Sequence, residues 1–369
     1  MRASPLRATL AEAGAVFQER HGVEVAARFA GPKVEYHAIR DAVGLTDFSF
    51  LRAFRLPEDK AIDFLDGLLG GNVAKIRFGR VLHTCLLDRE GMLLADCLVA
   101  NNDQEFVFLC ESAVPDAELD AVLQLYQPAQ AGLEDLAASH AVLSVDGFRA
   151  WEVVKKLFGA DVLGLPYMSV ENYTFQGQPI RLFRAGKTSE FGYLLLVPQT
   201  VAAVLFDTLK AEVQALGGAL CGVEVHDALR LEGRFFNIQQ EGRLVRDPLP
   251  LGLQWMFDFD KDTFLGAEAI KQRRTDGLRR KIIGVSAAPG CEGLQAGARL
   301  YHQGQPVAEV VTTCHSYVLG RQLGLAIFPA ELAYSGLTFR LGSAAGPVVQ
   351  SISMPPIMPK SLTVKLDEL

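Results

Sequence analysis

A carboxylate in the middle of an apolar strand is the strongest constraint in this sequence. Asp96 lies in Met92-Leu-Leu-Ala-Asp-Cys-Leu-Val99, and an unpaired charge at a central strand position costs several kcal/mol, on the order of 2–7 even for a neutral polar group. It needs a partner or a task. Two clusters of turn formers, Asp88-Arg89-Glu90-Gly91 and Asn101-Asn102-Asp103-Gln104, flank its strand, so the run from His83 to Glu111 reads as a three-stranded antiparallel meander. Pairing Leu87 with Met92 puts His83 opposite Asp96. Pairing Asn101 with Gln104 puts Leu94 opposite Glu111 and Asp96 opposite Leu109. Side chains alternate faces with period two, so His83, Asp96 and Glu111 are expected on one face. The alternative is an Asp at a bulge that accepts backbone hydrogen bonds.

At 369 residues the chain exceeds one ordinary core. Its hydrophobic fraction of 49% against 21% charged residues is that of a compact soluble protein, and the net charge of −7 argues against a nucleic-acid surface. The basic run Lys271 to Lys281 reads as a solvated linker or helix end. The six cysteines have no metal-type spacing, and three of them sit in apolar strand patterns as small hydrophobes. No metal site is expected. No apolar run is long enough for a signal peptide or a membrane span, so a cytoplasmic protein without membrane partners is expected.

Along the chain, Leu6, Leu10, Ala13 and Phe17 recur at helical spacing, giving a helix that His21-Gly22 ends. Further helices are expected over Lys33 to Val43, from Pro57 to Leu69 before Gly70-Gly71, from Asp146 to Gly159, and over Val201 to Leu216. The helix after Asp146 resembles the one after Pro57, either as a duplication or as two helices built by the same rules. Strands are expected at Tyr173 to Phe175, Ile180 to Phe183 and Tyr193 to Val197. From Lys281 onward, short strands between Gly-rich turns read as an all-β barrel or sandwich. The arrangement indicates α+β. No GxGxxG, Walker, HExxH or GxSxG pattern occurs, which removes support for nucleotide-dependent and serine-hydrolase chemistry.

Six segments in consistent order resemble the glycine cleavage T-protein (aminomethyltransferase) family. They are His37 to Ser49 with its GLxDxS turn, Phe78 to Val99, Gly222 to Glu232, Pro248 to Trp255, Lys261 to Ala269 and Met354-Pro-Pro356. The resemblance implies a three-lobed ring with a C-terminal β-barrel. Its expected lobes are residues 1–50 with 140–275, residues 51–139, and residues 276–369. It also implies an enzyme that transfers aminomethyl or methyl groups to tetrahydrofolate. Asp96 falls on the family aspartate, which orients and deprotonates an amine or stabilises a cationic donor; His83 and Glu111 would face the substrate, and Arg230 and Trp255 the cofactor. The donor would be a small molecule or a lipoyl carrier protein, with a separate oxidase or dehydrogenase as a further partner. Leu194 stands where relatives place a pterin-binding glutamate, so Glu190 is the expected substitute. His83 replaces a commonly aromatic position and Glu111 a common asparagine. The alternative is a non-catalytic relative whose folate site is altered or lost. From the residues alone, Arg230 also fits an intrahelical pair with Asp227, Trp255 a core position, and Glu190 a turn.

Overall fold

The structure is a computed structural model describing residues 2–102, 104–126, 132–291 and 293–366. After the short helix Arg7–Glu12 come β1 (Val16–Arg20) and β2 (Val23–Arg28), paired as a hairpin. The expectation that Phe17 continues the first helix is corrected here. Gly14 has φ of 89°, and the consecutive His21 and Gly22 have φ of 51° and 87°, the backbone of a two-residue hairpin turn rather than a helix stop.

An eleven-stranded sheet follows. It comprises β3 (Gly44–Asp47), β4 (Arg52–Pro57), β5 (Arg80–Leu87), β6 (Leu93–Asn102), β7 (Glu105–Ser112) and β8 (Glu134–Asp135), with β9 (His140–Asp146), β10 (Ser169–Phe175), β11 (Gln178–Arg184), β12 (Gly192–Pro198) and β13 (Ala219–Cys221). The spatial order is β13-β3-β9-β12-β11-β10-β5-β6-β7-β4-β8. The helix similarity visible in the sequence belongs to a longer repeat. β4, the helix Glu58–Leu68, the meander β5–β7 and the helix Asp116–Tyr126 are followed by β9, the helix Ala150–Phe158, the meander β10–β12 and the helix Gln199–Ala215. In both halves the first strand pairs with the last of its meander, and the halves meet where Ser169 of β10 pairs with Arg80 of β5.

Each half buries its own apolar layer between sheet and helices. Phe54, Leu65, Phe106 and Phe108 pack in the first, and Val145, Leu195, Leu205 and Phe206 in the second. Each such side chain contributes about 1.5–3 kcal/mol by leaving water. Lys261 ties the later chain to the first half: its Nζ donates to the carbonyls of Asp66, Leu69 and Gly71. Part of the basic run also serves the sheet, because Arg273 donates to the carbonyls of Glu90 and Gly91 at the tip of the first meander turn.

The last six strands, β14 (Arg280–Ala287), β15 (Arg299–His302), β16 (Gln305–Ser316), β17 (Arg321–Pro329), β18 (Thr338–Leu341) and β19 (Val348–Ile352), close into a barrel in the order β14-β17-β16-β15-β18-β19. Closure pairs Gly284 with Ile352 and leaves no free edge in the ring. Val285, Leu300, Phe328, Phe339 and Val349 fill it. The mixed helix and strand composition with a C-terminal barrel is the fold class expected from the sequence.

Candidate active site

The meander forms with a register two residues away from the one expected in each hairpin. A bulge between Leu86 and Leu87 pairs Cys85 with Asp96 and His83 with Leu98. Asn102 pairs with Glu105, and Asp96 pairs with Glu111 rather than Leu109. A two-residue slip preserves the face, so His83, Asp96 and Glu111 still share one side of the sheet. Asp103, one of the expected turn formers, lies outside the described residues.

That face is the floor of a cavity with about 1460 Å³ of space between its walls, open solvent at the mouth included. Above the floor stand Leu194 of β12, the loop that carries Lys187, and the helix Val223–Glu232 with Val223, His226, Asp227 and Arg230. The β1–β2 hairpin and Gln239 complete the wall.

Asp96 is buried and both its oxygens are taken. His83 Nε2 lies 2.6 Å from Oδ1, and Lys187 Nζ donates to Oδ2 at 2.5 Å and to the carbonyl of Phe236 at 3.1 Å. Burial alone would push this carboxyl up. The charges of His83 and Lys187, with their hydrogen bonds, outweigh it and hold the group well below the usual carboxylate range. Burial likewise opposes the charge on Lys187, but Asp96 and then Glu111 keep it protonated.

Glu111 differs. It is half-buried in the cavity wall directly across the ladder from Asp96, and among the described residues its carboxyl has no hydrogen bond or ion pair. Burial raises it to about 7; Lys187 works against that rise and Asp96 with it.

Arg230 stands in the wall, buried, but does not pair with Asp227. Its Nη1 donates to Glu241 at 2.6 and 2.7 Å and its Nη2 to Gln240 Oε1 at 2.5 Å. Asp227 instead meets Arg20 at 2.9 Å. His226 is pushed down to about 3 by burial and its Nε2 lies 2.8 Å from Thr46 Oγ1.

Two expected residues do not reach this cavity. Glu190 is turned the other way. It accepts from Arg40 at 3.2 Å and from the backbone N–H groups of Lys360 and Ser361 at 3.2 and 2.9 Å. Its carboxylate holds the C-terminal segment. Trp255 is 62% exposed rather than a core residue. It meets the His83 ring edge-on, 5.2 Å between centroids, and lines an adjoining cleft with Lys75, Arg77 and Arg80. Lys187 was missed as a partner of Asp96. The available signal was a lysine set beside Gly186 between two apolar strands, where a cation has little water and needs an anion.

A family model described as the GCVT N-terminal domain matches residues 6–261. The aminomethyltransferase of Mycobacterium leprae (strain Br4923) is 32% identical over 329 residues, covering 89% of this chain and 89% of its own. That of Synechococcus sp. (strain RCC307) is 28% identical over 335 residues, covering 90% and 92%. The crystal structure of glycine cleavage system aminomethyltransferase T from Bartonella henselae superposes with a TM-score of 0.81 over 97% of this chain and 98% of that one, at 20% identity, a likeness of fold. A family match over residues 6–261 and a relative 32% identical over 89% of the chain make this transferase a member of the GCVT aminomethyltransferase family.

Proposed function

We propose that this protein transfers an aminomethyl or methyl unit to tetrahydrofolate inside the cavity floored by Asp96. The observation that carries the reading is a buried, ionised Asp96 held by Lys187 and His83 at the base of a mostly apolar cavity. Pockets that bury a flat aromatic ligand are mostly apolar with a few converging polar groups. Leu98, Leu109, Met168 and Leu194 supply the apolar wall, and Gln239 keeps a buried amide oxygen without a donor among the described residues. Gln239 is the acceptor that would hold the polar edge of a pterin, since Leu194 cannot accept and Glu190 is committed elsewhere. Tetrahydrofolate, when bound, supplies the amine that takes up the one-carbon unit.

The geometry favours one of the two roles expected for Asp96. A carboxylate with both oxygens occupied and little affinity for a proton is a poor base. It is suited to holding Lys187 and His83 in place and to supplying fixed negative charge beside a developing cation. A lipoyl carrier protein is the donor that fits the glycine cleavage relative. The six cysteines, all free, suit a reducing compartment such as the cytoplasm.

The test is calorimetric titration with tetrahydrofolate and 5-methyltetrahydrofolate, followed by transfer assays with an aminomethyl-lipoyl carrier. Micromolar binding, about −8 kcal/mol, and transfer that is lost in Asp96→Asn are expected. A folded protein that binds neither folate would overturn the reading in favour of a relative whose folate site has been altered or lost.

A further inference from the structure

Among the described residues the cavity wall contains four carboxylates, and three are engaged. Asp96 is held by Lys187 and His83, Asp116 accepts from Arg2, and Asp227 is paired with Arg20. Glu111 is left, facing the same space from the neighbouring strand. Directly opposed residues have Cβ atoms about 5 Å apart, so a ligand atom resting against the Asp96 cluster lies within reach of the Glu111 carboxyl.

We propose that Glu111 is the proton acceptor of this site and a catalytic residue, with Asp96 in a positioning role. The inference rests on the transferase reading above. In the step concerned, a nitrogen lone pair of the acceptor forms the new N–C bond. The bond from that carbon to the donor heteroatom breaks, its electron pair leaving on the donor. The nitrogen, now cationic, gives its proton to a carboxylate oxygen of Glu111, which returns it to the departing donor atom or to water.

The surroundings agree. A base works best with a proton affinity near the working pH, and Glu111 is raised to about 7 by burial and by the charges of Asp96 and Asp227, against the opposing charges of Lys187 and Arg20. These four groups face it from β6, from the helix Val223–Glu232, from the loop after β11 and from β1. Lys187, already neutralised by Asp96, does not capture the carboxylate as an ion pair. Glu111 is thereby kept free and near neutrality by the same contacts that disqualify Asp96.

Two measurements on the full-length protein test this. Infrared difference spectra of wild type against Glu111→Gln, taken from pH 5 to 9 without ligand, are expected to show one carboxyl band titrating near pH 7 and absent from the variant. In transfer from the aminomethyl-lipoyl carrier, Glu111→Gln is expected to lose about 100-fold or more in kcat, with the tetrahydrofolate dissociation constant unchanged and the pH limb near 7 gone. Glu111→Asp, which keeps a carboxyl, is expected to restore part of both. A Glu111→Gln variant with wild-type kcat and pH profile overturns the proposal, as does a loss expressed wholly in tetrahydrofolate affinity. Those results leave the transferase reading standing, whereas a wild type that neither binds folate nor transfers removes both.

Discussion

The Nζ of Lys187 donates to Oδ2 of Asp96 across 91 residues of sequence, joining a loop of one half of the sheet to the central strand of the other. The contact satisfies a buried carboxylate, fixes the side of the cavity on which Lys187 stands, and leaves Glu111 on the neighbouring strand without an ion pair among the described residues.

Removing Asp96 should therefore be felt at Glu111. In Asp96→Asn the negative charge that raises Glu111 is gone and Lys187 is freed to approach it. The Glu111 titration is expected to move down from about 7, and transfer to fall by about 100- to 1000-fold. Infrared titration of the variant checks the first point, and an unmoved carboxyl band would show that the two groups are not coupled.

Lys187→Met should cost about 2 kcal/mol, the loss of a charge-assisted hydrogen bond to a buried anion. The sign with pH follows from Asp96, whose folded carboxyl sits below its ordinary value. Its contribution is present above the unfolded pKa and is lost as pH falls through the folded one. Urea unfolding should show wild type and variant furthest apart at neutral pH and converging in acid; a constant gap would contradict the assignment.

Asp146 gives the opposite slope. Burial raises it to about 7, while hydrogen bonds from Ser144 and Thr188 only partly offset the rise. The folded chain thus retains a proton that the unfolded chain gives up near pH 4. This stability is complete below the unfolded pKa and is lost as pH rises through 7, by up to about 1.4 kcal/mol per pH unit. Asp146→Asn should flatten unfolding free energies between about pH 4 and 7, the window bounded by the unfolded and folded values, and an unchanged slope would assign the effect elsewhere.

Glu190→Ala tests whether that carboxylate holds chain or ligand. It removes a side chain only 1% exposed from Arg40 and from the amides of Lys360 and Ser361, at an expected cost of about 3 kcal/mol. Amide exchange at Ser361 should quicken while the tetrahydrofolate dissociation constant stays within a few-fold. A tenfold weaker affinity with unchanged stability would return Glu190 to the ligand.

Gly192→Ala should disturb the site indirectly. An added Cβ would lie 2.8 Å from both Asp146 Oδ1 and the Cα of Gly186, and 2.9 Å from the Ala185 carbonyl. The loop holding Lys187 must shift, at about 1–3 kcal/mol. Calorimetry and kcat together should both show losses; full activity would mean that the loop accommodates a methyl group without moving Lys187.

Alternation along single strands was legible in the sequence, and it placed His83, Asp96 and Glu111 on one face even though both hairpin registers differ by two residues. Period two makes the face insensitive to an even slip. The short strands after Lys281 and most helices were legible for the same reason: hydrophobic period and turn residues act over a few residues. The end of the first helix was not, because its apolar spacing runs on into a strand and only pairing with β2 decides between them. Tertiary structure alone decided which charges meet. Lys187 reaches Asp96, Arg230 takes Glu241 instead of its helical neighbour Asp227, and Glu190 turns to the C-terminal segment, since ion pairs depend on distances between segments that only the packed sheet and its two halves determine.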